Sequence, residues 1–133
     1  MTRILLDSGI LSDYINRRRD IFDRVRSLTE QGVCIGTCVP VIAEIAAGVE
    51  LSSSRERNMP PFLAALETLE VWPFDQIAAF KYGQIFAEQR KKGRQVQIVD
   101  MMIAAVAITL GECKVVTTDS DLLSITGLKA EIW

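Results

Sequence analysis

Residues 3–9 run Arg3-Ile4-Leu5-Leu6-Asp7-Ser8-Gly9, an apolar run closed by turn-forming residues. A short apolar run of this kind suits a strand covered on both faces, as in a parallel sheet. Working outward, Ile10, Leu11, Tyr14 and Ile15 follow at helical spacing, and residues 19–30 continue helically with Ile21, Phe22, Val25 and Leu28 on one face. Gly32 stops that helix. Val33 to Val39 reads as a second strand, and Pro40 suits the first turn of a helix whose interior is Val41 to Val49. Residues 52–61 have the most loop-like composition and read as a connection or a helix start. Pro61 to Leu69 looks helical, Glu70-Val71-Trp72 is a third strand, and Phe74 to Lys92 is a long helix marked by Ile77, Phe80, Tyr82, Ile85 and Phe86. Ile98 to Leu110 is a helix apolar on most of its surface, hence central. Lys114 to Thr117 is a fourth strand, and Glu131-Ile132-Trp133 reads as a short edge strand. Strands alternate with helices throughout. The expected fold is therefore α/β, a three-layer α/β/α sandwich with a four- to five-stranded, mainly parallel sheet.

Length and composition bound the function. The chain has 133 residues, 49% hydrophobic and 24% charged, with a formal charge of −2. That fits one domain over residues 1–133 and excludes a disordered chain. No apolar run approaches the roughly 20 residues of a membrane span, and nothing at the N-terminus resembles a secretory signal. A cytoplasmic protein is expected. Three cysteines, Cys34, Cys38 and Cys113, do not make a disulfide scaffold. Histidine is absent. A structural zinc site, a Ser-His-Asp triad, a Cys-His pair and a histidine base are thereby excluded. Any catalysis falls to carboxylates, lysines, hydroxyls or a metal ion.

Four carboxylates stand where the local pattern expects buried or half-buried positions. Asp7 follows the first strand, Glu44 lies within Val41-Ile42-Ala43-Glu44-Ile45-Ala46-Ala47, Asp100 opens the apolar helix, and Asp119 follows the fourth strand. Taken singly, each Asp has an ordinary explanation: Asp7 and Asp100 as helix N-caps, Asp119 as an Asx-turn residue. Taken together they converge, because all strand C-termini of an open parallel sheet lie on one edge, where ligands bind. Like charges about 4 Å apart repel by about 4 kcal/mol per pair at an effective dielectric of about 20. The simplest neutraliser is a hard divalent cation with oxygen ligands, Mg²⁺ or Mn²⁺. Asp13, Asp121, Glu112 and Glu131 read as capping or surface charges.

The chain resembles the PIN-domain ribonucleases, specifically the VapC-type toxins of bacterial toxin–antitoxin pairs. The resemblance is carried by Asp7-Ser8 after the opening strand, by Ala43-Glu44-Ile45 with Gly48-Val49, by Gly93 to Ala107 (GRQVQIVDMMIAAVA), and by Val115-Val116-Thr117-Thr118-Asp119. It runs over essentially the whole chain. It implies a metal-dependent endoribonuclease, a hydrolase of RNA phosphodiester bonds acting as a toxin. Asp7 and Asp100 would then hold the ion most directly, with Glu44 and Asp119 completing the site. It also implies an antitoxin partner and a homodimer. Ile42, Ile45, Val49, Phe62 and Leu66 are candidates for the antitoxin groove, and the 74–92 helix or the 98–110 region for the dimer face. Basic clusters at Arg17-Arg18-Arg19, Arg24 and Arg26, and at Arg90-Lys91-Lys92 with Arg94, suit RNA phosphates or a solvated helix face. Arg94, nearest Asp100 in sequence, is the expected phosphate contact, and Ser8 offers a hydroxyl to the substrate. The family's opening is usually Asp-Thr-Asn or Asp-Thr-Ser, where this chain has Asp7-Ser8-Gly9. Gly9 also argues against a phosphoaspartate enzyme of the haloacid dehalogenase type, which needs a second Asp there. A degenerate PIN domain that binds RNA or protein without cleaving is the alternative.

Overall fold

The computed structural model describes residues 2–133. Twelve short elements alternate along it, beginning with β1 (Arg3–Leu6), α1 (Ser8–Ile15), α2 (Ile21–Glu30) and β2 (Cys34–Cys38). There follow α3 (Val39–Leu51), α4 (Arg55–Glu67), β3 (Glu70–Trp72), α5 (Gln76–Lys91), α6 (Ile98–Leu110) and β4 (Cys113–Thr117). A 3₁₀ turn at Ser120–Ser124 leads into β5 (Lys129–Ile132). The five strands form one sheet in the order β3-β2-β1-β4-β5, and every pairing is parallel. The chain therefore crosses outward from β1 to β3, then returns past β1 to β4 and β5. Right-handed crossovers running in both directions put helices on both faces, giving the three-layer α/β/α sandwich.

The apolar runs explain the layers. Ile4, Leu5 and Leu6 are all buried, as a central strand covered on both faces requires. On α6, Met101 and Ile103 to Ala107 are buried, so this helix is central, as its composition implies. β3 and β5 are largely exposed edge strands. Cys38 and Cys113 are buried in the sheet, and burial pushes their thiols up to about 12 and about 11. Among the described residues no helix is long and apolar enough to cross a membrane.

The structure corrects the sequence reading in three places. The Ser-rich loop covers only residues 52–54. Helix α4 starts at Arg55 and runs through Pro60 and Pro61, which forgo two helical N–H bonds while buried Phe62 anchors the turn. The 19–30 helix starts only at Ile21, because Arg17, Arg19 and Asp20 all adopt positive φ and break the path after α1. Finally, Ile77 and Phe80 on α5 point away from the core, 68% and 70% exposed, so the apolar marks there do not define one buried face.

Gly36 is the most tightly packed of the glycines. A Cβ added there would lie 2.5 Å from the carbonyl oxygen of Glu70, its partner on β3, and 2.8 Å from the Trp72 ring. Backbone cannot yield as a flexible side chain can. Gly36→Ala is expected to destabilise the fold by about 1–3 kcal/mol, read as a fall in Tm of roughly 4–12 °C. An unchanged Tm would mean that β3 docks less tightly than described.

Candidate active site

The strand order reverses at β1, with β2 on one side and β4 on the other. Ligand crevices of open parallel sheets form at such a switch point, beyond the strand C-termini. Asp7 and Asp119 leave β1 and β4 at this place.

Asp7 is the most constrained of the acids. It caps α1, its Oδ1 accepting from the Ile10 N–H at 2.9 Å, and its own N–H donates to the Val116 carbonyl at 3.2 Å. It is only 6% exposed. Burial raises its pKa above the ordinary carboxylate range, and the charges of Asp119 and Glu44 add to the rise; hydrogen bonds from Thr117 and Ile10 oppose it. The N-cap explanation is thus correct as local structure, but a simple surface cap would not be buried among like charges. Asp100 is not an N-cap. Gln97 takes that place, and Asp100 lies in the first turn of α6, half-buried. Burial, followed by the charges of Asp119, Asp7, Glu44 and Asp121, pushes its pKa up to about 6.

Asp119 and Glu44 depart from the expected burial: both are exposed. Asp119 forms the Asx-type turn, its Oδ1 accepting from the Asp121 N–H at 2.9 Å at the start of the 3₁₀ turn. Glu44 lies on α3 between exposed Ala43 and Ala47. Val41 is buried and Ile42 and Ile45 are half-buried on other faces of the helix, but Glu44 shares the outward face with Ala43 and Ala47, which are exposed. Both acids nonetheless act on Asp7 and Asp100 through their charge, so the structure brings all four together electrostatically.

Ser8 is half-buried at the start of α1, and its hydroxyl is buried without a hydrogen-bond partner. Arg94 is exposed on the α5–α6 connection, and its Nη1 donates to the Ser124 carbonyl at 3.3 Å. Two further residues join the site: Thr117, read from sequence only as the end of a strand, and Asp121, read there as a capping or surface charge. Thr117 is fully buried; its Oγ1 accepts from the Asp119 N–H at 2.9 Å while its side chain hydrogen-bonds Asp7. One hydroxyl thus ties two of the acids together. A Thr ending an apolar strand two residues before an Asp is the signal that marks it. Asp121 joins the field around Asp100, and its spacing of two from Asp119 was the available clue.

Much of the basic charge is spent internally. The Arg17 guanidinium stacks over Phe22 at 4.0 Å and that of Arg24 over Trp133 at 4.0 Å. Arg19 pairs with Asp13 at 2.7 Å, Arg26 with Glu30 at 3.3 Å and Lys92 with Glu88 at 2.9 Å. These contacts engage part of each cluster, while Arg18, Arg90, Lys91 and Arg94 stay exposed.

As arranged here, no three Cys, Asp or Glu side chains among the described residues are gathered tightly enough to grip an ion. The donor set is all oxygen, it includes a buried carboxylate raised by desolvation, and an orphaned hydroxyl stands beside it. By chemistry this set fits a hard divalent cation, which carboxylates and hydroxyls prefer.

Fold and site define a class: a parallel α/β/α domain with a group of electrostatically coupled carboxylates at its switch point. The chain belongs to the PIN-domain family, whose model matches residues 4–128. It is 29% identical over 133 residues to the tRNA(fMet)-specific endonuclease VapC of Salmonella typhimurium, covering 100% of this chain and 99% of that protein. It is 28% identical over 129 residues to ribonuclease VapC2 of Rickettsia felis, covering 97% and 96%. Among solved structures, the Rickettsia felis VapBC2 complex bound to a promoter DNA fragment superposes with a TM-score of 0.91 at 27% identity, covering 99% of both chains. DNA-bound VapBC of Salmonella typhimurium gives 0.87 at 32% identity, covering 100% of this chain and 99% of that one.

Proposed function

We propose that this protein is an endoribonuclease, the toxin of a toxin–antitoxin pair, that hydrolyses RNA phosphodiester bonds with a bound Mg²⁺ or Mn²⁺. The observation that carries the reading is the set of mutually repelling carboxylates at the switch point, with Asp7 buried and Asp100 pushed up to about 6. The names of the VapC relatives support the RNase assignment.

Asp7 and Asp100 would hold the ion directly, with Glu44 and Asp119 completing the site. Bound there, the ion would neutralise charge on the phosphoryl oxygens and lower the pKa of the attacking water. The chain's own residues set the rest. The Ile10 N–H and Thr117 hydroxyl fix the orientation of Asp7. Asp119, held by its own turn, would help to orient the attacking water, directly or through a bridging water. The unpartnered Ser8 hydroxyl, closed to solvent beside Asp7, would reach a phosphate oxygen only after a small opening of the site. Arg94 keeps donors beyond the one used on Ser124 and serves the phosphate as a charged clamp.

The antitoxin would lie in the cleft of about 410 Å³ between α1, α3 and α4, where Ile45, Val49 and Phe62 line an apolar wall beside Arg18. Ile42 and Leu66 do not line it. Exposed Ile77 and Phe80 make α5 the candidate face for a homodimer. The cytoplasm is the compartment this role requires.

The test is RNA cleavage with Mg²⁺ or Mn²⁺, with EDTA, and with Asp7→Asn. Metal-dependent cutting that both EDTA and the substitution abolish supports the reading. Cutting that survives both removes it, and RNA binding without cutting favours the non-cleaving module. Arg94→Ala is expected to lower cleavage about tenfold, the loss of one charged hydrogen bond. Parent-level rates would release Arg94 from this role.

A further inference from the structure

A second cleft, of about 390 Å³, opens between the last turns of α5, the 92–97 connection and the first turn of α6. Phe86, Val96 and Met101 form its covered walls, and exposed Arg90 and Arg94 stand on its lining. Gln89 also lines it. That side chain is 2% exposed, yet neither its Oε1 nor its Nε2 has a hydrogen-bond partner. A buried primary amide with both ends unmatched is costly, and an apolar side chain of the same size would fill the space without that cost. The surroundings are not loose: the Gln89 carbonyl accepts from the Arg94 N–H at 3.0 Å, closing the end of α5.

We propose that this cleft is a nucleotide subsite, in which the Gln89 amide, closed to solvent in this conformation, turns into the opening to pair with a base edge of the RNA next to the cleaved bond while the Arg94 guanidinium meets its phosphate. The inference rests on the ribonuclease reading for its substrate. An amide presents a donor and an acceptor side by side in one plane, and base edges present the complementary pair. The apolar and aromatic walls suit a flat ring, as in other single-strand sites. Arg90 lies 4.9 Å over the Phe86 ring, which positions a second guanidinium at the same cleft. Ile98 and Met101 line the cleft and bracket Asp100 on the same helix turn. A helix is only about 10 Å across, so a strand whose scissile phosphate reached Asp100 would have a neighbouring nucleotide within reach of this opening around the first turn of α6. An acidic peptide would satisfy the arginines but has no ring for the walls.

The test uses the whole protein in EDTA, so that binding is read apart from cleavage. The four nucleoside 5′-monophosphates, ribose 5-phosphate and an acidic peptide are titrated in turn while the side-chain amide resonances are followed by NMR. At least one nucleotide is expected to shift the Gln89 NH₂ signals and to bind at least tenfold more tightly than ribose 5-phosphate. Gln89→Met is expected to lose that preference while melting at the same temperature or higher, and to change which base is favoured beside the cut. Ribose 5-phosphate or the peptide binding as well as every nucleotide overturns the proposal, and so do unmoved Gln89 signals or unchanged binding by the variant. Should Gln89→Met fail to fold, the wild-type shifts still decide. Gln89-dependent binding in a protein that cuts no RNA sinks the ribonuclease reading and leaves the nucleotide pocket. Cleavage without Gln89-dependent binding does the reverse.

Discussion

Asp100→Asn is expected to lower RNA cleavage by about 10³-fold while making the cation-free protein more stable by about 1 kcal/mol. The two effects have one cause. Asp100 faces Asp119, Asp7, Glu44 and Asp121, and burial and their charges push its pKa up to about 6. Deleting its charge relieves that repulsion and removes a proposed ligand of the ion. The half-exposed position keeps the gain modest, since solvent screens it. Asp7→Asn is expected to be equally inactive but to gain little or no stability. Its carboxylate accepts hydrogen bonds from Ile10 and Thr117, and an asparagine offers one acceptor where the carboxylate offers two oxygens. Urea unfolding in EDTA beside a cleavage assay reads both quantities. An Asp100→Asn protein that cuts RNA at the parental rate contradicts the assignment, whatever its stability.

Stability of the cation-free protein is expected to fall as pH rises from about 4 to about 6 and to be restored by Mn²⁺. Below the unfolded value, near 3.8, Asp100 is protonated in both states and contributes no difference. Between that value and about 6 the folded protein binds the proton more strongly, so deprotonation weakens it. The full shift of about two units corresponds to about 3 kcal/mol. Screening at this half-buried site reduces that to about 1–2 kcal/mol. Asp7 shifts in the same direction. Glu50, Glu88 and Glu131 are lowered by hydrogen bonds to Arg55, Lys92 and Trp133 and run the other way, but they are exposed and small in effect. A bound cation needs the carboxylates ionised, so its binding releases protons and strengthens with pH over the same window. Thermal melts across pH in EDTA and in Mn²⁺ should therefore diverge upward through about pH 6. Parallel curves would show that these acids do not share an ion.

The fold was legible where composition left one solution. Ile4-Leu5-Leu6 and Met101 to Leu110 are too apolar to lie anywhere but in a covered strand and a central helix, and the structure puts them there. The strand-to-carboxylate pattern is enough to locate Asp7 and Asp119 at one edge of the sheet. What sequence could not give was accessibility. Ala43 and Ala47 look like core in a string and lie on the surface in space, which left Glu44 exposed. Nor could it show that Arg17, Arg19 and Arg24 are occupied by Phe22, Asp13 and Trp133, because those pairings join residues from loops and from the far end of the chain. Thr117 and Gln89 were missed for a related reason: a hydroxyl or amide becomes conspicuous only when burial and the lack or presence of a partner are known.

The pairing of β1 with β4 joins Arg3–Leu6 to residues more than a hundred positions later. The acids are likewise scattered over positions 7, 44, 100 and 119. A ribosome making this chain thus exposes the first carboxylate early and cannot surround it until the 113–119 segment has emerged. Distant pairings of this kind are slow to form. The four carboxylates therefore come together only once the 113–119 segment has folded onto β1.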